Sequence, residues 1–276
     1  MISGPIGVFD SGYGGLTILR DLIKVLPAYG YLYLGDNARA PYGQRSFNTI
    51  FQYTLESVKW LFNQNCPLVI LACNTASAKA LKNIQQLILP HLAPDRRVLG
   101  VIRPTSEVIG NYTKTQSIGI LATTGTVNSG SYDIEIKHFF PDLHLYQQAC
   151  PLWVPMVENN DFDHAGGNYF VEKYVAQLFA QSSEIDTVLL ACTHYPLLVD
   201  KIKAVCPQDT TVLSQGPFVA NSLVTYLERH PEMERRLTKN HKVEFYTTDA
   251  EIDFDNHASL YFGSQIFAKH TELEHE

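Results

Sequence analysis

The sequence predicts an α/β protein of two similar lobes, each a mostly parallel sheet covered by helices, with a cleft between them. Three observations carry this expectation. Short apolar or β-branched runs alternate with longer segments whose apolar residues recur every three or four positions, as buried parallel strands and their covering helices do. Two stretches repeat: Pro5-Ile6-Gly7-Val8-Phe9-Asp10-Ser11-Gly12 parallels Ser117-Ile118-Gly119-Ile120-Leu121-Ala122-Thr123-Thr124, and Val69-Ile70-Leu71-Ala72-Cys73-Asn74-Thr75 parallels Val188-Leu189-Leu190-Ala191-Cys192-Thr193-His194, at offsets of 112 and 119 residues. The length of 276 residues exceeds the usual size of one core.

In chain order, strands are expected at 6–9, 31–34, 68–71, 98–102, 118–121, 143–146, 187–190 and 243–246. Leu16, Leu19, Ile23 and Leu26 mark the apolar face of a helix after the first strand. Phe47, Phe51, Leu55, Val58 and Phe62 mark another after the second. Both stripes read as core packing. The repeat lengths place the first lobe at 1–98 plus 212–276, with 99–211 inserted as the second.

Composition excludes several classes. A hydrophobic content of 45% with 18% charged residues is that of an ordinary globular protein rather than a disordered one. The formal charge is −7, and Lys and Arg are scattered, so nothing marks a nucleic-acid surface. Met1-Ile2-Ser3-Gly4-Pro5 lacks a signal-peptide pattern, and no apolar run approaches the ~18 residues of a membrane span. The expected location is the cytoplasm, with no membrane partner. Cys66, Cys73, Cys150, Cys192 and Cys206 are odd in number and contain no C-x-x-C pair, which argues against both a disulfide framework and a zinc ribbon.

Cys73 and Cys192 stand apart because both end a Leu-Ala-Cys segment that follows an apolar strand and precedes a helix-like segment. A thiol at a helix N-terminus feels the positive end of the helix dipole, which lowers its pKa from about 8.5. One such cysteine reads most simply as a small side chain filling a tight space. Two, facing each other across a cleft, could take a proton from one face of a carbon and return one to the other, which is racemisation.

The chain resembles the glutamate racemase family, within the wider group of aspartate, glutamate and hydantoin racemases. The resemblance rests on Phe9-Asp10-Ser11-Gly12-Tyr13-Gly14-Gly15, Gly35-Asp36 followed by Pro41-Tyr42-Gly43, and Cys73-Asn74-Thr75. It continues with Gly100-Val101-Ile102 and Pro104, Ala122-Thr123 with Gly125-Thr126-Val127, Cys192-Thr193-His194-Tyr195-Pro196-Leu197, and Phe245-Tyr246-Thr247-Thr248. It implies a cofactor-independent enzyme that makes D-glutamate for peptidoglycan, with a cleft between two lobes and a homodimeric habit. It further implies that Cys73 deprotonates D-glutamate and Cys192 L-glutamate, with Asp10 and His194 assisting and Glu158 orienting His194. Ser11, Asn74, Thr75, Thr193 and His194, with Asp10 and the backbone at Tyr42 and Gly43, would hold the substrate, and Thr126 would join them.

This chain carries Ser214-Gln215-Gly216 where many members have Asp-Ser-Gly; the expected consequence is for packing, not chemistry. It also lacks the N-terminal extension of members activated by a peptidoglycan precursor, so that regulation is not expected. Three rival readings remain at this stage. Gly12-x-Gly14 after a strand, with Asp36 downstream, fits a nucleotide-dependent oxidoreductase in part, although Thr17 replaces the third glycine. A two-lobed amino-acid binding protein would carry inert cysteines. A zinc site on Cys73, Cys192 and His194 has poor ligand spacing. Aspartate as substrate differs by one methylene and stays open on physical grounds.

Overall fold

A computed structural model describes residues 3–273; Met1 and Ile2, the start of the N-terminal segment considered above, and residues 274–276 lie outside the described residues. The strands are β1 (Ile6–Asp10), β2 (Tyr31–Gly35), β3 (Leu68–Leu71), β4 (Arg97–Gly100), β5 (Ser117–Ala122), β6 (His144–Ala149), β7 (Thr187–Ala191), β8 (Thr211–Ser214), β9 (Val243–Thr247) and β10 (Ala268–His270). They form two parallel sheets, ordered β10-β9-β2-β1-β3-β4 and β6-β5-β7-β8. The expected fold class is therefore observed.

The central strands β1, β2, β3, β5 and β7 are buried along their whole length, so the hydrophobic effect selects unbroken apolar runs at these positions. β8 and β10 were not expected from the sequence. β8 is a partly buried edge strand of four residues, and β10 is an edge strand of three; neither buries enough side-chain area to leave an apolar signature. β4 stops at Gly100, two residues short of expectation, because Ile102 begins the short helix Ile102–Ser106. The expected lobe boundaries, after residues 98 and 211, fall within β4 and β8.

The helix Gly15–Val25 buries Leu16, Ile18, Leu19 and Leu22, each contributing on the order of 1.5–3 kcal/mol of apolar burial. In the helix Phe47–Asn63 the buried face is rotated from the expected stripe. Ile50, Leu55, Val58, Leu61 and Phe62 point inward, while Phe47 is 46% exposed and stacks on Phe51 at 6.5 Å. Ser46 caps this helix, its Oγ accepting the Thr49 N–H at 3.2 Å.

What matters for function is the strand ends. Asp10 closes β1 in register with Gly35 of β2, and Cys73 follows the adjacent β3. In the other sheet Ala122, Ala149 and Ala191 end β5, β6 and β7 in one register, followed by Thr123, Cys150 and Cys192. Ligands of open parallel sheets bind beyond such carboxyl ends. Here the two sets of ends meet.

Candidate active site

Cys73 N-caps the helix Asn74–Lys79: its Sγ accepts the Ala76 N–H at 3.5 Å and lies 3.5 Å from Ser11 Oγ. Cys192 lies across the cleft, its Sγ 3.8 Å from His194 Nδ1, and His194 Nε2 lies 2.9 Å from Glu158 Oε1. Each thiol-bearing residue is 6% exposed. Both line one cavity of about 40 Å³, together with Ser11, Tyr42, Gly43, Asn74, Thr75, Glu158, Thr193 and His194. Hydrogen bonds also join the lobes beside it. The Gly125 N–H donates to Gly43 O at 2.8 Å, and Thr75 Oγ1 meets Thr123 Oγ1 at 2.9 Å.

Of the residues expected at the site, Asp10 and Thr126 stand behind the cavity wall rather than in it. Asp10 is fully buried, accepts the Gly12 N–H at 3.0 Å, and is 3.4 Å from Thr193 Oγ1. Burial raises its pKa, and Glu158 adds to this, while the neighbouring His194 cation and the Gly15 and Gly12 amides pull the other way. Thr126 Oγ1 accepts from Thr123 Oγ1 at 3.1 Å. The cavity also contains Thr123, Thr124, Cys150, Pro151, Val154 and Pro155. Thr123 was legible in principle, since the internal repeat aligns it with Ser11. Cys150 was not, because a buried free cysteine usually means packing alone.

The expected lowering of the Cys73 pKa is not found. Burial pushes this thiol up to about 12, the Asp10 carboxylate adds to the rise, and the Ser11 hydroxyl and Ala76 amide only partly oppose it. One helix-terminal amide does not offset removal from water. For His194, burial disfavours the cation, but the bonds to Cys192 and Glu158 outweigh it and hold the imidazole well above its ordinary value. A protonated ring has two N–H donors, and both ring nitrogens have acceptors in place here.

This predicts a pH-dependent stability. A histidine whose folded pKa exceeds its unfolded value adds stability that is fully present below the unfolded value and lost as pH rises through the folded one. Glu158→Gln is therefore expected to destabilise the protein by about 1.5 kcal/mol near pH 5.5, with the deficit shrinking toward alkaline pH. Melting curves of both proteins across pH check this; an equal deficit at every pH contradicts it.

The geometry speaks against two rivals. Asp36, required free for a ribose, is engaged by Arg39 at 2.7 Å, by the Tyr42 hydroxyl, and by Thr248 Oγ1 at 2.9 Å. Gly14 packs against the second lobe, leaving no space for a pyrophosphate: a Cβ there would stand 2.3 Å from Thr193 Oγ1. Among the described residues no group of three or more His, Cys, Asp or Glu is placed to hold a metal ion, and no helix is long and apolar enough to cross a membrane.

No model of a known protein family matches the chain. Individual proteins do. A glutamate racemase of Sulfurihydrogenibium sp. (strain YO3AOP1) is 35% identical over 94% of both chains. The crystal structure of a glutamate racemase isoform from Bacillus anthracis superposes with a TM-score of 0.88 at 33% identity, covering 98% of each chain. That of a Francisella tularensis glutamate racemase in complex with D-glutamate does so with 0.84 at 31% identity, covering 99% of this chain and 98% of that one. With this identity sustained over nearly the full length, and with paired thiols at matching strand ends, the chain belongs to the glutamate racemase family.

Proposed function

We propose that the cleft interconverts L- and D-glutamate by proton transfer between two thiols, without a cofactor, and so supplies D-glutamate for peptidoglycan. The observation that carries this reading is that Cys73 and Cys192 follow matching strands of opposite sheets and line one cavity. In the L-to-D direction the Cys192 thiolate takes the α-proton and the Cys73 thiol delivers one to the opposite face. This leaves a Cys73 thiolate and a Cys192 thiol; the D-to-L direction is the reverse. Cys73 rests as the thiol, ready to donate. A substrate ammonium beside it favours the thiolate that the reverse direction needs.

The carbanion formed in either direction is stabilised by fixed hydrogen bonds in a largely buried site. Ser11, Asn74, Thr75, Thr193 and the backbone at Tyr42 and Gly43 hold the carboxylates and ammonium. The imidazolium of His194, held by Glu158, stabilises negative charge on the Cys192 sulfur. Asp10 acts through Thr193 and through its field on Cys73. Glutamate enters between the lobes, beside the Gly43–Gly125 and Thr75–Thr123 bonds that join them. The lobes divide near the ends of β4 and β8. The chain acts in the cytoplasm, on a small molecule rather than on nucleic acid or membrane, and pairs as a homodimer.

Circular dichroism of D-glutamate and of L-glutamate, each incubated with the protein in reducing buffer and no added cofactor, tests the function. Both signals are expected to decay to zero, because the equilibrium constant of a racemisation is one; two unchanged signals contradict the reading. Aspartate run alongside measures the specificity. Gly14→Ala supplies a structural check, since its Cβ would sit 2.5 Å from His194 Nδ1. Displacing that ring is expected to lower kcat/KM on the order of 10²-fold, with a loss of roughly 1–3 kcal/mol in stability from overpacking. Unaltered kcat/KM contradicts the placement of His194.

A further inference from the structure

Behind one of the groups that face the substrate stands a closed ring of hydrogen bonds. Asn74 Nδ2 donates to Gln215 Oε1 at 2.6 Å, Gln215 Nε2 donates to the Tyr132 hydroxyl at 2.7 Å, and that hydroxyl donates to Asn74 Oδ1 at 2.7 Å. Gln215 Nε2 also reaches Val101 O at 3.1 Å and Thr105 Oγ1 at 3.4 Å. All three ring members are at most 2% exposed. They come from separate parts of the fold: the helix after β3, the helix Ser131–Phe139 of the second lobe, and the turn after β8 by which the chain returns to the first lobe.

The donor and acceptor count sets the orientation of Asn74. A carboxamide has two N–H donors and one carbonyl. The ring takes the Asn74 carbonyl and one N–H, which leaves the second N–H for the cavity that Asn74 lines. Turning the amide by half a revolution would set Asn74 Oδ1 against Gln215 Oε1, two acceptors with no proton between them, in a buried site where an unmade bond is expensive. The departure at Gln215, expected to concern packing alone, therefore extends to the cleft.

We infer that Tyr132 and Gln215 are positioning residues that hold the Asn74 amide with its free N–H toward a substrate carboxylate. The inference rests on the proposed role of Asn74 in holding substrate. Tyr132→Phe removes the ring hydroxyl at nearly constant volume, and Gln215→Met removes both amide functions at similar length. Steady-state racemisation in both directions, with melting temperatures, compares these variants with the parent, Asn74→Ala, and Asn74→Ala combined with Tyr132→Phe. In each ring variant KM for both enantiomers is expected to rise about tenfold while kcat stays within about threefold, as when an interaction made equally in ground and transition states is lost. Tyr132→Phe is expected to add nothing on the Asn74→Ala background. A lower kcat at unchanged KM, the mark of lost folded enzyme, overturns the positioning role, as does an additive effect in the double variant. Either result with a fully active parent leaves the two-thiol reaction standing; an inactive parent removes the reading on which the inference rests.

Discussion

Cys73→Ala and Cys192→Ala are each expected to abolish net racemisation in both directions, lowering kcat by roughly 10²–10⁴-fold or more, the usual contribution of a positioned acid or base. One thiol cannot serve both faces of the α-carbon, and each direction needs one sulfur to accept and the other to donate. Folding should survive, because a buried cysteine truncated to alanine loses only one sulfur and leaves a small void. A half-reaction should also persist in deuterated buffer. Cys73→Ala keeps the base that acts on L-glutamate and is expected to exchange the α-proton of that enantiomer without inverting it. Cys192→Ala is expected to do the same only for D-glutamate. Proton NMR of the recovered substrate reads this directly; exchange of the same enantiomer by both variants contradicts the assignment of faces.

His194→Ala is expected to have the next largest effect, a fall in kcat/KM of roughly 10²–10³-fold. The variant removes the imidazolium 3.8 Å from Cys192 Sγ and leaves Glu158, 2.9 Å from the lost ring, without its partner. Because the equilibrium constant is one, kcat/KM must fall equally in both directions even though His194 neighbours only one thiol. The asymmetry therefore appears elsewhere, in the half-reactions: α-proton exchange of L-glutamate in the Cys73→Ala background is expected to fall further when His194 is lost, and exchange of D-glutamate in the Cys192→Ala background much less. Equal losses in the two backgrounds contradict a role tied to Cys192.

Much of this site was legible before any coordinates, for a physical reason. The internal repeat places equivalent residues at the carboxyl ends of equivalent strands, and a two-base reaction needs one base from each half, so duplication and chemistry leave the same mark at Cys73 and Cys192. Residues that act through a third party left a weaker one. Gln215 reads as an ordinary polar residue in a turn, and its bond to Asn74 spans 141 positions of sequence; only the fold brings them together. Tyr132 lies on the apolar face of a helix, where an aromatic residue reads as core. The pKa of Cys73 was misjudged because the helix N-terminus is visible in sequence and the burial that opposes it is not. β8 and β10, short and at sheet edges, carry too little buried side chain to leave a periodic signal.

The central claim is that two bases act from opposite faces of one carbon, and the isotope content of early product tests it. L-glutamate is incubated with the unaltered protein in deuterated buffer, and the reaction is stopped at low conversion. The expected result is D-glutamate that carries deuterium at its α-carbon, delivered by Cys73, beside remaining L-glutamate that is almost unlabelled. Product that retains the substrate's own proton, or label spread equally between product and remaining substrate, would show a single base working on both faces and contradict the account.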